Sequence, residues 1–151
     1  MIELDTFKDY TSYIGKEMPP SDWHKVDQKQ IDDFAASTND HAWYHVDVER
    51  ARRELPDGRT IAHGLYTLSL VPGLALQIVT LKNYGRALNY GYDRVRFIAP
   101  VQVDARIRLH AKVLSLEPSK GGTLLRKAFT MELEGSDKPA LAAENSVLFL
   151  Y

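Results

Sequence analysis

Residues 61–81 read IAHGLYTLSLVPGLALQIVTL, the longest run of this chain without Asp, Glu, Lys or Arg, bounded by Arg59 and Lys82. Leu65, Leu68, Val71, Ala75, Leu76 and Val79 share one helical face, and Tyr66, Leu70, Leu74 and Ile78 share another. A helix apolar all round has no face suited to water, so protein or lipid must wrap it. The run just reaches the roughly 20 apolar residues that a bilayer core demands. His63 at its start, Thr67, Ser69 and Gln77 within it, and Pro72-Gly73 at its middle argue against lipid. The stretch is therefore expected to be a buried central helix, with no membrane partner.

The flanking sequence supplies the wrapping. Beyond Lys82 the period changes from helical to two. Leu88, Tyr90, Tyr92 and residues 95–97 suggest a strand stopped by Pro100. Residues 105–116 alternate cleanly, with Ile107, Leu109, Ala111 and Val113 opposite Arg106, Arg108, His110 and Lys112. Lys120-Gly121-Gly122 marks a hairpin, and residues 123–134 and 140–151 give two further strands. On the other side, residues 5–13 and 48–54 read as short helices, and residues 21–26 as a short strand. Asp27, with Gln30 three positions on, opens a helix carrying Ile31, Phe34 and Ala35. The segment NDHAWYHVD, residues 39–47, reads as a loop leading to Asp47 as the next N-cap. The result is an α+β chain, one domain over residues 1–151. An antiparallel sheet curls around a buried helix, the architecture known as a hot-dog fold. Its exposed sheet edge suits pairing with a second copy.

Composition limits the function. At 151 residues the chain is long enough to bury a real core. A net charge of −1 offers nucleic acid and anionic membranes no general attraction. There is no cysteine, which removes disulfides, thiolate ligands and cysteine nucleophiles and fits a reducing compartment. The N-terminus has no apolar segment of a secretory signal, so the cytoplasm is the expected location.

Chemistry concentrates between residues 39 and 64. Asp40 and His45 flank Trp43 and Tyr44, and a carboxylate beside an imidazole can hold a water and move protons both ways. On spacing alone, Asp40 capping a turn and His45 packed in a core is the simpler reading. His63-Gly64 opens the central helix, where the first N–H groups lack internal acceptors and a glycine admits a close ligand. His41 and His45 have zinc-like spacing only on a helix, and this segment reads as loop. Ser69 lacks the glycines of a nucleophile elbow. Asn89, beside Gly91, either orients reacting groups or sits at a bulge. Arg106, Arg108 and Lys112 could meet phosphates or simply face water, and Arg86 and Lys82 stand equally open.

Taken together, FAASTNDHAWYHVDVERA followed by IAHGLYTLSL resembles the MaoC-like dehydratases, the (R)-specific enoyl-CoA hydratases. The stretch RALNYGYDRVRFIAPVQVDARIR is similar to the nodulation protein N-like branch. The resemblance covers residues 27–108. It implies catalytic Asp40 and His45, an oxyanion-hole amide at Gly64, and substrate contacts from His63, Tyr66, Ser69 and Asn89. It also implies addition of water to trans-2-enoyl thioesters of coenzyme A or an acyl carrier, giving (R)-3-hydroxyacyl products. No metal or other cofactor is required, and the expected assembly is a homodimer. Many members have Gly before the aspartate and Asn-Pro within the gap; here stand Asn39 and His41-Ala42-Trp43-Tyr44. Where short-chain members place a serine eight residues after the glycine, this chain has Pro72, which bears on acyl-pocket shape. A thioesterase on the same fold and a non-catalytic acyl-thioester binding module are the alternatives. The thioesterase reading lacks its usual carboxylate on the central helix.

Overall fold

The computed structural model describes residues 1–150; Tyr151, expected at the end of the last strand, lies outside them. The chain opens with β1 (Ile2–Thr6), a 3-10 turn over Phe7–Tyr13 and β2 (His24–Lys25). Three helices follow, α1 (Gln28–Thr38), α2 (Trp43–Val46) and α3 (Val48–Glu54). The apolar run gives α4 (Gly64–Ser69), α5 (Val71–Ile78) and β3 (Val79–Asn83). Four long strands complete the chain: β4 (Arg86–Phe97), β5 (Arg106–Ser119), β6 (Gly122–Leu133) and β7 (Leu141–Leu150).

The antiparallel sheet has the order β2-β5-β6-β7-β4 and packs its inner face on the central helix. This is the hot-dog arrangement. Inward positions alternate as the sequence indicates: Ile107, Leu109, Ala111 and Val113 on β5 are buried, as are Leu125, Phe129 and Met131 on β6. They meet Tyr66, Val71, Leu74 and Ile78 of the helix. The outer β5 charges are spent across strands, Arg106 on Glu134 and Arg108 on Glu132. Trp23 packs beneath the same two guanidinium groups.

Several expectations require correction. The central helix ends at Ile78 rather than Leu81, and Leu70 divides it. Pro72 falls at the start of α5, where its missing N–H costs least. The β-branched Val79 and Thr80 then favour a strand, which pairs in parallel with β1. That pairing also turns residues 2–6 into a strand, so the expected helix over 5–13 survives only as the 3-10 turn. Leu65 and Leu76 are 60% and 69% exposed, so this chain alone does not wrap the helix on every side. The four long strands do not lie side by side in chain order, because β4 lies beside β7 at the sheet edge. Gly91 does mark a bulge, since register shifts between Asn89 and Gly91. No helix among the described residues is long and apolar enough to cross a membrane.

Candidate functional site

Helix α1 ends where Asn39 takes a left-handed conformation (φ 58°), a role asparagine fills readily. That turn delivers Asp40 beside the core, where its carbonyl accepts a hydrogen bond of 2.9 Å from His63 Nε2. The start of α1 is held by the reciprocal Asp27–Gln30 capping box. The segment expected to be a loop instead contains α2, one short turn closed by Asp47, which also caps α3. His45 sits on α2 and is buried. Gln28 Nε2 donates to the His45 carbonyl at 2.8 Å, tying α2 back to α1.

His45 Nδ1 lies 2.6 Å from the Ile61 carbonyl. A carbonyl only accepts, so Nδ1 carries the proton and Nε2 keeps its lone pair. The same logic places the His63 proton on Nε2 and leaves His63 Nδ1 as the acceptor. That Nδ1 is buried with no hydrogen-bond partner among the described residues. The His45 and His63 rings stack with centroids 3.7 Å apart and planes at 26°. Tyr44 and Phe34 bracket the pair from either side. Burial, and then the neighbouring His63, lower the His45 pKa from its ordinary value against the raising effects of the Ile61 hydrogen bond and Asp40.

A carboxylate oxygen of Asp40 and one ring nitrogen each of His45 and His63 all lie within 4.8 Å of one another. The residue types suit zinc. The ring geometry suits it poorly, because nearly parallel imidazoles send their in-plane lone pairs side by side rather than toward one point. The arrangement suits a water held between the Asp40 carboxylate and the His45 Nε2 lone pair, with His63 packed against the His45 ring. His41, the other member of the zinc-like spacing, is exposed and outside the cluster.

Beside the cluster is a cavity of about 420 Å³ lined by Tyr44, His45, Gly64, Thr67, Phe97 and Ile98, among others. Gly64 opens α4 after His63, and its main chain is closely approached by Phe97. A Cβ at position 64 would stand 2.8 Å from the Phe97 ring, so any larger residue forces that ring to shift. Phe97 and Thr67 were not among the residues expected at the site. The glycine was the available signal that something presses on that point.

The structure brings Asp40, His45, His63 and Gly64 together. It does not bring Tyr66, Ser69 or Asn89 to them. Tyr66 Oη turns toward α1 and β2, contacting Gln30 and His24, and burial pushes its pKa up to about 12. Ser69 is exposed, and its Oγ donates to the Tyr66 carbonyl within its own turn. Asn89 lines a different cavity and accepts from Asn145 at 2.8 Å.

Comparison with known proteins gives a consistent picture. The family model described as MaoC like domain matches residues 9–128. The chain is 40% identical to 3-hydroxyacyl-thioester dehydratase Z of Mycobacterium tuberculosis over 151 residues, 99% of each chain. It is 43% identical over 138 residues to nodulation protein N of Rhizobium leguminosarum bv. viciae, covering 89% of this chain and 85% of that one. Among solved structures, the (R)-hydratase from A. caviae involved in PHA biosynthesis superposes with a TM-score of 0.72 at 21% identity, covering 90% of this chain and 96% of that one.

Proposed function

The chain belongs to the MaoC-like domain family, and from that footing we propose that it is a hydro-lyase acting on 3-hydroxyacyl and trans-2-enoyl thioesters. The observation that carries this reading is the meeting of Asp40, His45 and His63 beside the Gly64 cavity. The dehydratase name of its mycobacterial relative supports the reaction class.

In the hydration direction, Asp40 and His45 hold a water molecule between them. His45 is neutral, with Nδ1–H tied to the Ile61 carbonyl, so its Nε2 is free to share the water's proton with the carboxylate. The oxygen bonds to the β-carbon, the 2,3 double bond becomes a single bond, and charge moves onto the thioester oxygen. The Gly64 N–H, at a helix start where the first donors lack an internal acceptor, stabilises that charge. The proton then returns to the α-carbon on the same face, giving the (R)-3-hydroxyacyl thioester. No metal or redox group enters this scheme.

The working unit in this reading is a homodimer. Strand β4 is an open sheet edge, and Leu88, Tyr90, Phe97 and Ile98 on or beside it are 44–68% exposed. Because Phe97 and Ile98 also line the Gly64 cavity, the second copy would border the site. A solution mass showing only monomer contradicts this part.

The reaction is tested with crotonyl-CoA and a longer trans-2-enoyl-CoA, following loss of the conjugated-enoyl absorbance and assigning the product's configuration. Formation of (R)-3-hydroxyacyl-CoA is the expected outcome. Release of free thiol would point to thioester hydrolysis instead, and binding without turnover to an acyl-thioester receptor.

A further inference from the structure

A closed loop of contacts surrounds His45. The α2 turn does not hold this residue by itself, because four residues form too little helix to stand alone. Its last carbonyls lie beyond any internal donor, and two of them are met from elsewhere in the chain. The Tyr44 carbonyl accepts from the Ile61 N–H at 3.0 Å, and the His45 carbonyl accepts from Gln28 Nε2 at 2.8 Å. Gln28 Oε1 in turn accepts from the hydroxyl of Thr60. Thr60 precedes Ile61, whose carbonyl takes the His45 Nδ1–H. The loop runs from the His45 main chain through the Gln28 amide, the Thr60 hydroxyl and the Thr60–Ile61 peptide back to the His45 ring.

Each part of the loop is anchored from outside it. Residues 60–62 lie against residues 101–103, with the Val103 N–H on the Thr60 carbonyl at 2.9 Å and the Ala62 N–H on the Val101 carbonyl at 2.7 Å. Thr60 is 1% exposed, so its hydroxyl is withdrawn from bulk water and losing its partner is costly. Gln28 is the first residue of α1, whose start is clamped by the Asp27–Gln30 box. Its partners dictate the orientation of its amide. Nε2 meets two acceptors, the His45 carbonyl and Asp32 Oδ1 at 2.9 Å, while Oε1 meets the hydroxyl that donates. Exchanging amide oxygen and nitrogen would set an acceptor against two acceptors.

We propose that Gln28 and Thr60 are positioning residues for His45, fixing its main chain so that Nδ1–H stays on the Ile61 carbonyl and Nε2 stays free to share a proton with Asp40. This assignment rests on the reaction proposed for Asp40 and His45. A ring tied to Ile61 alone could still swing as the α2 turn shifts; tying ring and main chain to consecutive residues removes that freedom. Displacing a reacting group by about 1 Å costs on the order of 10²-fold in rate. Neither Gln28 nor Thr60 lines the Gly64 cavity, so their loss should act on kcat and leave KM nearly unchanged.

The test uses Gln28→Leu, Gln28→Glu and Thr60→Val, with Thr60→Ser as the conservative change. Ile31→Val is the control, since it thins the buried side of α1 without touching the loop. Two quantities are read: steady-state hydration of crotonyl-CoA, and the nitrogen–proton correlation spectrum of the isotope-labelled imidazoles. The His45 signals are assigned by their loss in His45→Gln, and they report its tautomer without turnover. In the first three variants kcat should fall roughly 10–100-fold at nearly constant KM, and a second His45 tautomer, protonated at Nε2, should appear. Thr60→Ser should recover most of what Thr60→Val loses. Ile31→Val should keep the wild-type kcat and the single Nδ1–H tautomer. Wild-type kcat and tautomer in the first three variants, a change confined to KM, or an equal loss in Ile31→Val overturns the proposal. Should the Gln28 variants fail to fold, the isosteric Thr60→Val against Thr60→Ser decides. A wild type that hydrates nothing overturns the reaction instead, and the spectra alone then decide the positioning: mixed tautomers uphold it and an unchanged one contradicts it.

Discussion

The imidazole of His45 lies on that of His63, ring centroids 3.7 Å apart, each with one N–H held by a backbone carbonyl. His45 donates to Ile61 and His63 donates to Asp40, so the stack joins the α2 turn to the entry of α4. A proton added to one ring opposes a proton on the other. Burial, with His63 beside it, thereby favours the neutral form of His45 that can accept from water.

His63 should matter through position as well as contact. His63→Ala removes the bond to the Asp40 carbonyl and one wall of the stack. Steady-state hydration should fall roughly 10–100-fold, since small displacements of reacting groups cost that much. His63→Gln keeps a donor near the Nε2 position and should recover part of kcat. Equal activity in all three proteins would remove His63 from the site.

The pH profile has a defined direction. The lowered pKa of His45 keeps the ring neutral below its ordinary value of 6.5. The acid limb of kcat/KM should therefore fall below pH 6.5. Folding stability follows the same sign. A group depressed on folding stabilises fully above its unfolded pKa and loses that contribution as pH falls through the folded one. Both measurements should shift in Asp40→Asn, because Asp40 acts in the opposite, raising sense.

Gly64 is a steric prediction. Gly64→Ala places a methyl 2.8 Å from the Phe97 ring, which must move. A loss of about 1–3 kcal/mol in denaturant unfolding is expected for such overpacking. Phe97→Leu in the same chain should return part of it. Additive losses would show that the two positions do not compete for space.

Lys127 on β6 is the one charged residue around the cavity that Asn89 lines, without an ion pair among the described residues, and should cost the fold stability when that cavity is empty. With a pKa of about 8 against an ordinary 10.5, its charged form is penalised at pH 7. Lys127→Met should raise stability by roughly 1–3 kcal/mol after allowance for screening within the cavity. The gain should shrink as pH rises from 8 toward 10.5, where the folded wild type has already released the proton. Destabilisation by the substitution would contradict an unpaired ammonium.

Local rules made much of the fold legible. Period-two alternation placed β5, β6 and β7, and Asp27 with Gln30 announced the start of α1. Those signals lie within a few residues of each other. The parallel pairing of β1 with β3, and β4 lying beside β7, depend on long-range register that no window of sequence contains. The site divides the same way. Asp40, His45 and Gly64 came from motif order, whereas His63 reaches the Asp40 carbonyl across 23 positions and joins the cluster only on folding. Tyr66, Ser69 and Asn89 share elements with the site but point elsewhere, because helical phase and strand register set their directions. The α2 turn was hidden because four residues are too short to show a period.

The central claim is that Asp40 and His45 together move the proton of a water added to an enoyl thioester. Its most direct test is the hydration rate of crotonyl-CoA by Asp40→Asn and His45→Gln, each shown to be folded, and by the double variant. Each single change should lower kcat by about 10²–10⁴-fold and the double change should add little, as for groups acting as one unit. Near-wild-type turnover in either single variant would contradict it.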